Sequence, residues 1–223
     1  MTDKFETVIV VAGGKGERMQ TSVPKQFIEV KNKPVLMHTI DIFLDYNSKI
    51  HVIVVLPENQ IENWCELCKK HAFNAPHMVV GGGVTRFHSV KNGLKHAGYE
   101  GLIAVHDGVR PLVSIATIDS CFKEAGENGT AIPVIDAFES IRQLGVNGSH
   151  SVDRSQYKLV QTPQVFKADI LQKAYLQEFN PVFTDDASVV EYSGVKIYLV
   201  DGNRENIKIT SPVDLKIAEA LLP

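Results

Sequence analysis

Val8-Ile9-Val10-Val11-Ala12-Gly13-Gly14-Lys15-Gly16-Glu17-Arg18-Met19 passes from a β-branched apolar run straight into three glycines interleaved with Lys15 and Arg18. The apolar run has the pattern of a strand buried on both faces, as in a parallel sheet. Glycines let a backbone approach a ligand closely and turn its N–H groups inward, and such a nest holds an anion. Lys15, Arg18 and Lys25 of the following Pro24-Lys25-Gln26 add fixed positive charge. The stretch reads as a site for a nucleoside triphosphate.

Two familiar glycine-loop motifs do not fit. A Walker A loop needs Ser or Thr after its Gly-Lys pair, whereas Gly16 follows Gly14-Lys15. A dinucleotide fingerprint needs a third glycine where Met19 stands and a helix opening at once, and Pro24 biases Val23 away from helical backbone. A plain strand-to-loop turn accounts for one glycine but not for three alternating with cations.

Composition bounds the rest. At 223 residues the chain suits one domain, 1–223, with a full-sized core. Hydrophobic content of 44% and charged content of 22% are ordinary for a globular protein. A net charge of −3 argues against a general nucleic-acid partner, so the basic groups must act locally. No apolar run approaches the roughly 18 residues of a membrane span, and no signal-peptide core is expected at the start. Three cysteines, an odd number, suit the reducing cytoplasm.

Strand-like runs recur at Thr7–Val11, His51–Leu56, Met78–Val80, Leu102–His106, Thr130–Val134 and Val195–Val200. Helical stripes lie between them, over Val35–Leu44 after Pro34, Ile61–Ala72 and Val90–Ala97. This alternation predicts an α/β, Rossmann-like, mostly parallel sheet flanked by helices, with ligand beyond the carboxyl ends of its strands. From about 137 to 158 the alternation breaks. Asn147-Gly148 signals a β-hairpin, and its flanks carry too few large apolar residues for a core of their own. Such an arm either lies on the sheet or reaches a second subunit; the second is favoured here, because it would carry Arg154 away from its own sheet.

Further clusters bear chemistry. Gly81-Gly82-Gly83-Val84-Thr85-Arg86-Phe87-His88-Ser89 leaves a strand and opens a helix, with Arg86 and Ser89 on the first turn near an anion-favouring terminus. His106-Asp107-Gly108-Val109-Arg110 ends another strand, and Asp107 stands where a carboxylate would hold Mg²⁺ beside a triphosphate. Arg110 either pairs with Asp107 or holds a second phosphate, and His106 reads as a packed histidine. Thr184-Asp185-Asp186-Ala187 reads as the start of a helix running to Tyr192 rather than as a carboxylate pair. Cys65 and Cys68 have zinc-like spacing but no second pair, and they read as core residues. Lys208, on a short extended piece before Pro212, can point into the same cleft.

In this order the clusters resemble the cytidylyltransferases of the glycosyltransferase-A-like nucleotidyltransferase group, above all the 2-C-methyl-D-erythritol 4-phosphate cytidylyltransferase family. The likeness runs from Ile9 to Glu219 and rests on the ordered set, with Asp153-Arg154, Thr162-Pro163-Gln164 and Asn206–Thr210 added to those above. The resemblance implies a single nucleotidyltransferase domain acting on CTP and a polyol phosphate, with Mg²⁺ on Asp107. It implies catalytic charge stabilisation by Arg18 and Lys25, and a nucleotide cradle of Ala12, Gly13, Gly14 and Gly16 completed by Gly83, Arg86 and Ser89. Arg110, Arg154, Thr162 and Lys208 would hold the sugar phosphate, Arg154 reaching across a homodimer on the hairpin arm. The chain departs from the family pattern at Ala137, where relatives offer a hydroxyl, and at Val84, where they can carry a polar or acidic group. Ribitol 5-phosphate cytidylyltransferase shares much of the motif set, and a pyrophosphorylase using a different base or sugar phosphate would show the same fold with another nucleotide preference. A nicotinamide oxidoreductase is disfavoured by Met19, and a non-catalytic nucleotide sensor by the cations gathered with Asp107.

Overall fold

A computed structural model describes residues 5–13 and 23–222. Gly14, Gly16 and Arg18 therefore lie outside the described residues. The chain opens with β1 (Glu6–Val11), a two-residue pair β2 (Glu29–Val30) and β3 (Lys33–Pro34), then α1 (Val35–Tyr46). β4 (His51–Leu56), α2 (Ile61–Lys70), β5 (Met78–Gly81), α3 (Arg86–Leu94), β6 (Leu102–Asp107) and α4 (Ile115–Asn128) complete the alternating half. The second half carries β7 (Thr130–Asp136), the hairpin β8 (Arg142–Gly145) and β9 (Gly148–Ser151), β10 (Lys158–Val160), β11 (Gln164–Lys167) and α5 (Ala168–Ala174). It ends in α6 (Asp186–Tyr192), β12 (Leu199–Asp201) and α7 (Pro212–Leu221).

The expected architecture is present. The main sheet has eight strands in the order β10-β7-β11-β6-β1-β4-β5, with β12 alongside β7. β5, β4, β1 and β6 are mutually parallel, so Val11 and Asp107 sit side by side at their carboxyl ends. β11, which the apolar runs do not reveal, is antiparallel between β6 and β7. The expected strand at Val195–Val200 shortens to Leu199–Asp201.

Alternation along β1 sorts its side chains between two buried layers. Val8 and Val10 join Leu36 and Ile40 of α1 with Ile118 and Phe122 of α4. Ile9 joins Val90 and Leu94 of α3 and Leu171 of α5 on the other face. A smaller cluster of Val30, Val35, Val109, Ile209, Ala218 and Leu222 fastens α7 and the segment before it beside the end of β6. That fastening carries Lys208 to the sheet's active edge.

Two local expectations change. Gly145 pairs with Gly148, so the hairpin turns on Val146-Asn147 rather than on Asn147-Gly148. Both of its strands are exposed along their length. On α2 only Trp64 is buried; Cys65 is exposed and Cys68 half-buried, so the apolar stripe is narrower than its spacing implies. Among the described residues no helix is long and apolar enough to cross a membrane.

Helix α3 approaches the sheet closely at Gly93, where a Cβ would stand 2.8 Å from Ile9 Cγ2 and 3.1 Å from Val55 Cγ2. Both neighbours are fully buried, so Gly93→Ala should destabilise the fold by about 1–3 kcal/mol, as overpacking does. Urea unfolding of the two proteins checks this; equal midpoints would contradict it.

Candidate active site

Four parallel strands deliver their carboxyl ends to one edge, and the segments leaving those ends build the site. After β1, Ala12 N–H bonds to Val55 O at 2.9 Å, and Ala12 O accepts from Gln26 Nε2 at 2.9 Å. Gln26 is buried, and its neighbour Lys25 donates from Nζ to Ile209 O at 3.3 Å. After β5, Gly82 N–H bonds to Leu56 O at 2.7 Å. Ser89 Oγ accepts from Gly83 N–H at 3.1 Å and donates to Thr85 O at 3.0 Å, tying the glycine turn to the first turn of α3. A Cβ on Gly83 would collide with that of His88, so only glycine lets the turn pack this closely. Thr85 caps α3 through its hydroxyl, as a plain helix start also requires.

Asp107, the last residue of β6, is the centre of charge. Its Oδ2 lies 3.0 Å from Lys208 Nζ and 3.1 Å from Arg110 Nε, and its Oδ1 lies 3.8 Å from Arg86 Nε. Burial favours the neutral acid, but Arg86, Lys208 and Arg110 together outweigh it and hold the carboxyl well below the usual range. Arg110 thus makes the pair with Asp107 that its spacing allows. Its Nη1 also donates to Asn206 O at 2.7 Å, and Ile209 N–H bonds to Val109 O at 2.9 Å.

Behind the carboxylate stands a dry polar relay. Thr162 Oγ1 accepts Asp107 N–H at 3.1 Å and meets His106 Nδ1 at 3.0 Å. With the hydroxyl proton given to Nδ1, His106 Nε2–H donates to Arg110 O, 3.1 Å away. Burial holds His106 down to about 4, so it is a neutral strut, in line with the expected packed histidine. Thr162 is buried too, and its hydroxyl serves Asp107 and His106 instead of facing the cleft. Gln164, two residues on, donates to Asp185 Oδ2 at 2.7 Å and accepts Ala187 N–H at 2.8 Å, which fixes the start of α6. Asp185 is the N-cap of that helix, in agreement with a helix start at Thr184–Ala187.

Ala12, Gly13, Lys25, Gly83, Arg86, Ser89, Asp107 and Lys208 thus line one cleft of about 330 Å³. It adjoins a wider pocket of about 760 Å³ between Gly13, Gly82 and Gly83 on one side and Pro57–Gln60 on the other. Arg86 lines this cleft together with Gly83 and Ser89, and two acids hold it there. Asp186 Oδ2 draws its Nη2 to 2.7 Å and Asp107 attracts its Nε, so the guanidinium belongs to the charged cleft. Arg154 stands outside the cleft at the base of the arm, donating to Phe138 O. Residues 206 and 186 carry more than their motifs indicate. Asn206 is fully buried and donates to Thr162 O at 2.9 Å, and Asp186 is fully buried as the partner of Arg86.

Among the described residues no three His, Cys, Asp or Glu side chains gather as a metal site. Mg²⁺ needs only one or two carboxylates when phosphates and water supply the other oxygens. Asp107 suits that role because it is ionised and its Oδ1 has no cation within 3.5 Å among the described ion pairs.

Residues 7–223 match the family model for 2-C-methyl-D-erythritol 4-phosphate cytidylyltransferase. The chain belongs to that family. A 2-C-methyl-D-erythritol 4-phosphate cytidylyltransferase of Bacteroides fragilis is 56% identical over 97% of this chain and 99% of its own length. The one from Bacteroides thetaiotaomicron is 54% identical over 97% and 99%. The crystal structure of the Thermus thermophilus enzyme is 29% identical and superimposes with a TM-score of 0.79 over 98% of each chain. That of the Anaerococcus prevotii 4-diphosphocytidyl-2C-methyl-D-erythritol synthase is 26% identical, with a TM-score of 0.81 over 97% of this chain and 95% of its own. The chain is a nucleotidyltransferase of this family and shares the overall fold of these two structures.

The neutral state of His106 has a signature in stability. The unfolded chain protonates histidine near pH 6.5, whereas the folded chain resists until about pH 4. Between these values the unfolded state binds the extra proton, so stability falls as pH falls. Wild type should lose about 2 kcal/mol more than His106→Gln between pH 7 and pH 4.5, measured by urea unfolding. Parallel pH profiles would contradict this.

Proposed function

We propose that this protein transfers the cytidylyl group of CTP to 2-C-methyl-D-erythritol 4-phosphate, giving 4-diphosphocytidyl-2-C-methyl-D-erythritol and pyrophosphate. The observation that carries this reading is the convergence of Lys25, Arg86, Lys208 and, through Asp107, Arg110 on one cleft beside a glycine-lined pocket. The pocket between Gly82–Gly83 and Pro57–Gln60 has the room and the close backbone for a nucleoside. The cations then stand where two polyanions must meet.

The reaction asks nothing covalent of the protein. A phosphate oxygen of the polyol attacks the α-phosphorus in line and pyrophosphate leaves, while fixed donors stabilise the charge that develops. Lys25, and Arg18 from outside the described residues, take the triphosphate; Lys208 and Arg110 take the polyol phosphate. Asp107 would hold Mg²⁺, which when bound offsets repulsion between phosphate oxygens. Thr162 sets the direction of Asp107 through its backbone N–H.

The exposed hairpin supports a homodimer in which each subunit lends Arg154 to the other's cleft. Three free thiols accord with a cytoplasmic setting.

Pyrophosphate release tests both parts. Wild type should turn over CTP with methylerythritol phosphate in preference to ribitol 5-phosphate. Lys25→Ala and Arg154→Ala should each lower turnover by about 10²–10³, the usual effect of losing one preorganised donor. Co-expressed, the two variants should recover about a quarter of wild-type activity, because mixed dimers of a twofold assembly keep one complete site. No release with methylerythritol phosphate would overturn the substrate, and no recovery on mixing would overturn the shared site.

A further inference from the structure

Asp186 is fully buried, and both of its oxygens are occupied: Oδ2 by Arg86 Nη2 at 2.7 Å and Oδ1 by the Tyr175 hydroxyl at 2.6 Å. Tyr175 is itself buried and stacks on Phe87, ring centroids 4.7 Å apart, so neither group has room to turn away. Nε of the same guanidinium lies 3.8 Å from Asp107 Oδ1, beyond a hydrogen bond. A mere tie between α3, α5 and α6 would need no buried charge, since apolar side chains of similar volume do that work as well or better.

We propose that Asp186, braced by Tyr175, is a positioning residue that holds the Arg86 guanidinium back from Asp107 and so keeps Asp107 Oδ1 open to a divalent cation and the phosphates it accompanies. The proposal rests on the transfer reaction above. The guanidinium is a rigid planar fork, so a short bond at Nη2 fixes where Nε points. Asp107 already has two cations on Oδ2; a third, drawn fully onto Oδ1, would close the carboxylate to any metal. Without the negative charge of Asp186, Coulomb attraction takes Arg86 to Asp107, its other acidic neighbour among the described residues.

The test is Mn²⁺ binding, followed by the electron paramagnetic resonance of free Mn²⁺ in the presence of a CTP analogue with a methylene between the α- and β-phosphorus. Asp186→Asn should remain folded by circular dichroism and bind Mn²⁺ about tenfold more weakly, with turnover reduced in proportion, as loss of an outer partner of a metal ligand typically does. Adding Arg86→Gln to Asp186→Asn removes the competing cation and should return Mn²⁺ affinity to within about threefold of wild type. Unchanged affinity in folded Asp186→Asn, or no recovery in the double variant, would overturn the proposal. If Asp186→Asn does not fold, Tyr175→Phe carries the test: it keeps the charge pair and the ring, and should weaken Mn²⁺ binding about two- to threefold, where no change would overturn it. A wild type that binds the analogue but transfers nothing would sink the reaction instead, while the Mn²⁺ comparison would still report on Arg86.

Discussion

A carboxylate taken out of water at the end of a central strand is costly unless cations are brought to it, and Asp107 is in that position. It recruits from three directions. Arg110 comes from the turn after β6, Lys208 from the segment before α7, and Arg86 from the first turn of α3. Each has its own anchorage: Arg110 on Asn206 O, Lys208 through the buried Ile209, and Arg86 on Asp186. On the function proposed above, the same groups that satisfy Asp107 in the folded chain are the donors for two phosphate-bearing reactants. Stability and chemistry therefore draw on one set of contacts, and the site is preorganised before any ligand arrives.

The polar residues behind this cluster have their reasons in the same constraint. At the end of β6 the backbone N–H of Asp107 needs a partner, and Thr162 supplies it while His106 stays neutral. Asn206 and Gln161 close the gap between that strand and the Lys208 segment, with Gln161 Nε2 donating to Asn203 O at 2.9 Å. Gln164 does the corresponding work at α6, which carries Asp186. The motifs at 106–111, 162–164, 184–187 and 206–210, far apart in the chain, are one connected network in space.

Much of this is legible in the residues. The β-branched run of β1 and the glycines after it locate the sheet's centre and its binding edge. Asp107 ends a strand-like run and so belongs at that edge, whereas Lys208, on a short extended piece, can point into the same cleft but by itself reads as a solvent-facing lysine. What local patterns do not show is which partner a charge takes. Arg86 follows three glycines and reads as part of a nucleotide pocket, but the acid that holds it in the cleft lies a hundred residues away and gives no local signal. The contacts of Thr162 with Asp107 and His106 are not legible locally, because β11, which begins two residues later between β6 and β7, is too short and mixed to stand out as a strand. Cys65 reads as core because helical spacing sets the direction of a stripe but not its width. One Asn-Gly pair reveals the hairpin, yet its turn is displaced by one residue because cross-strand pairing joins Gly145 to Gly148.

The dependence of catalysis on the buried carboxylate is open to one decisive measurement. Pyrophosphate release from CTP and methylerythritol phosphate by Asp107→Asn, a change that preserves shape but removes the charge, should fall by about 100-fold or more while the circular dichroism spectrum is unchanged. Turnover within a factor of a few of wild type would show that the cations do not gather around Asp107 for this chemistry, and the account would fail.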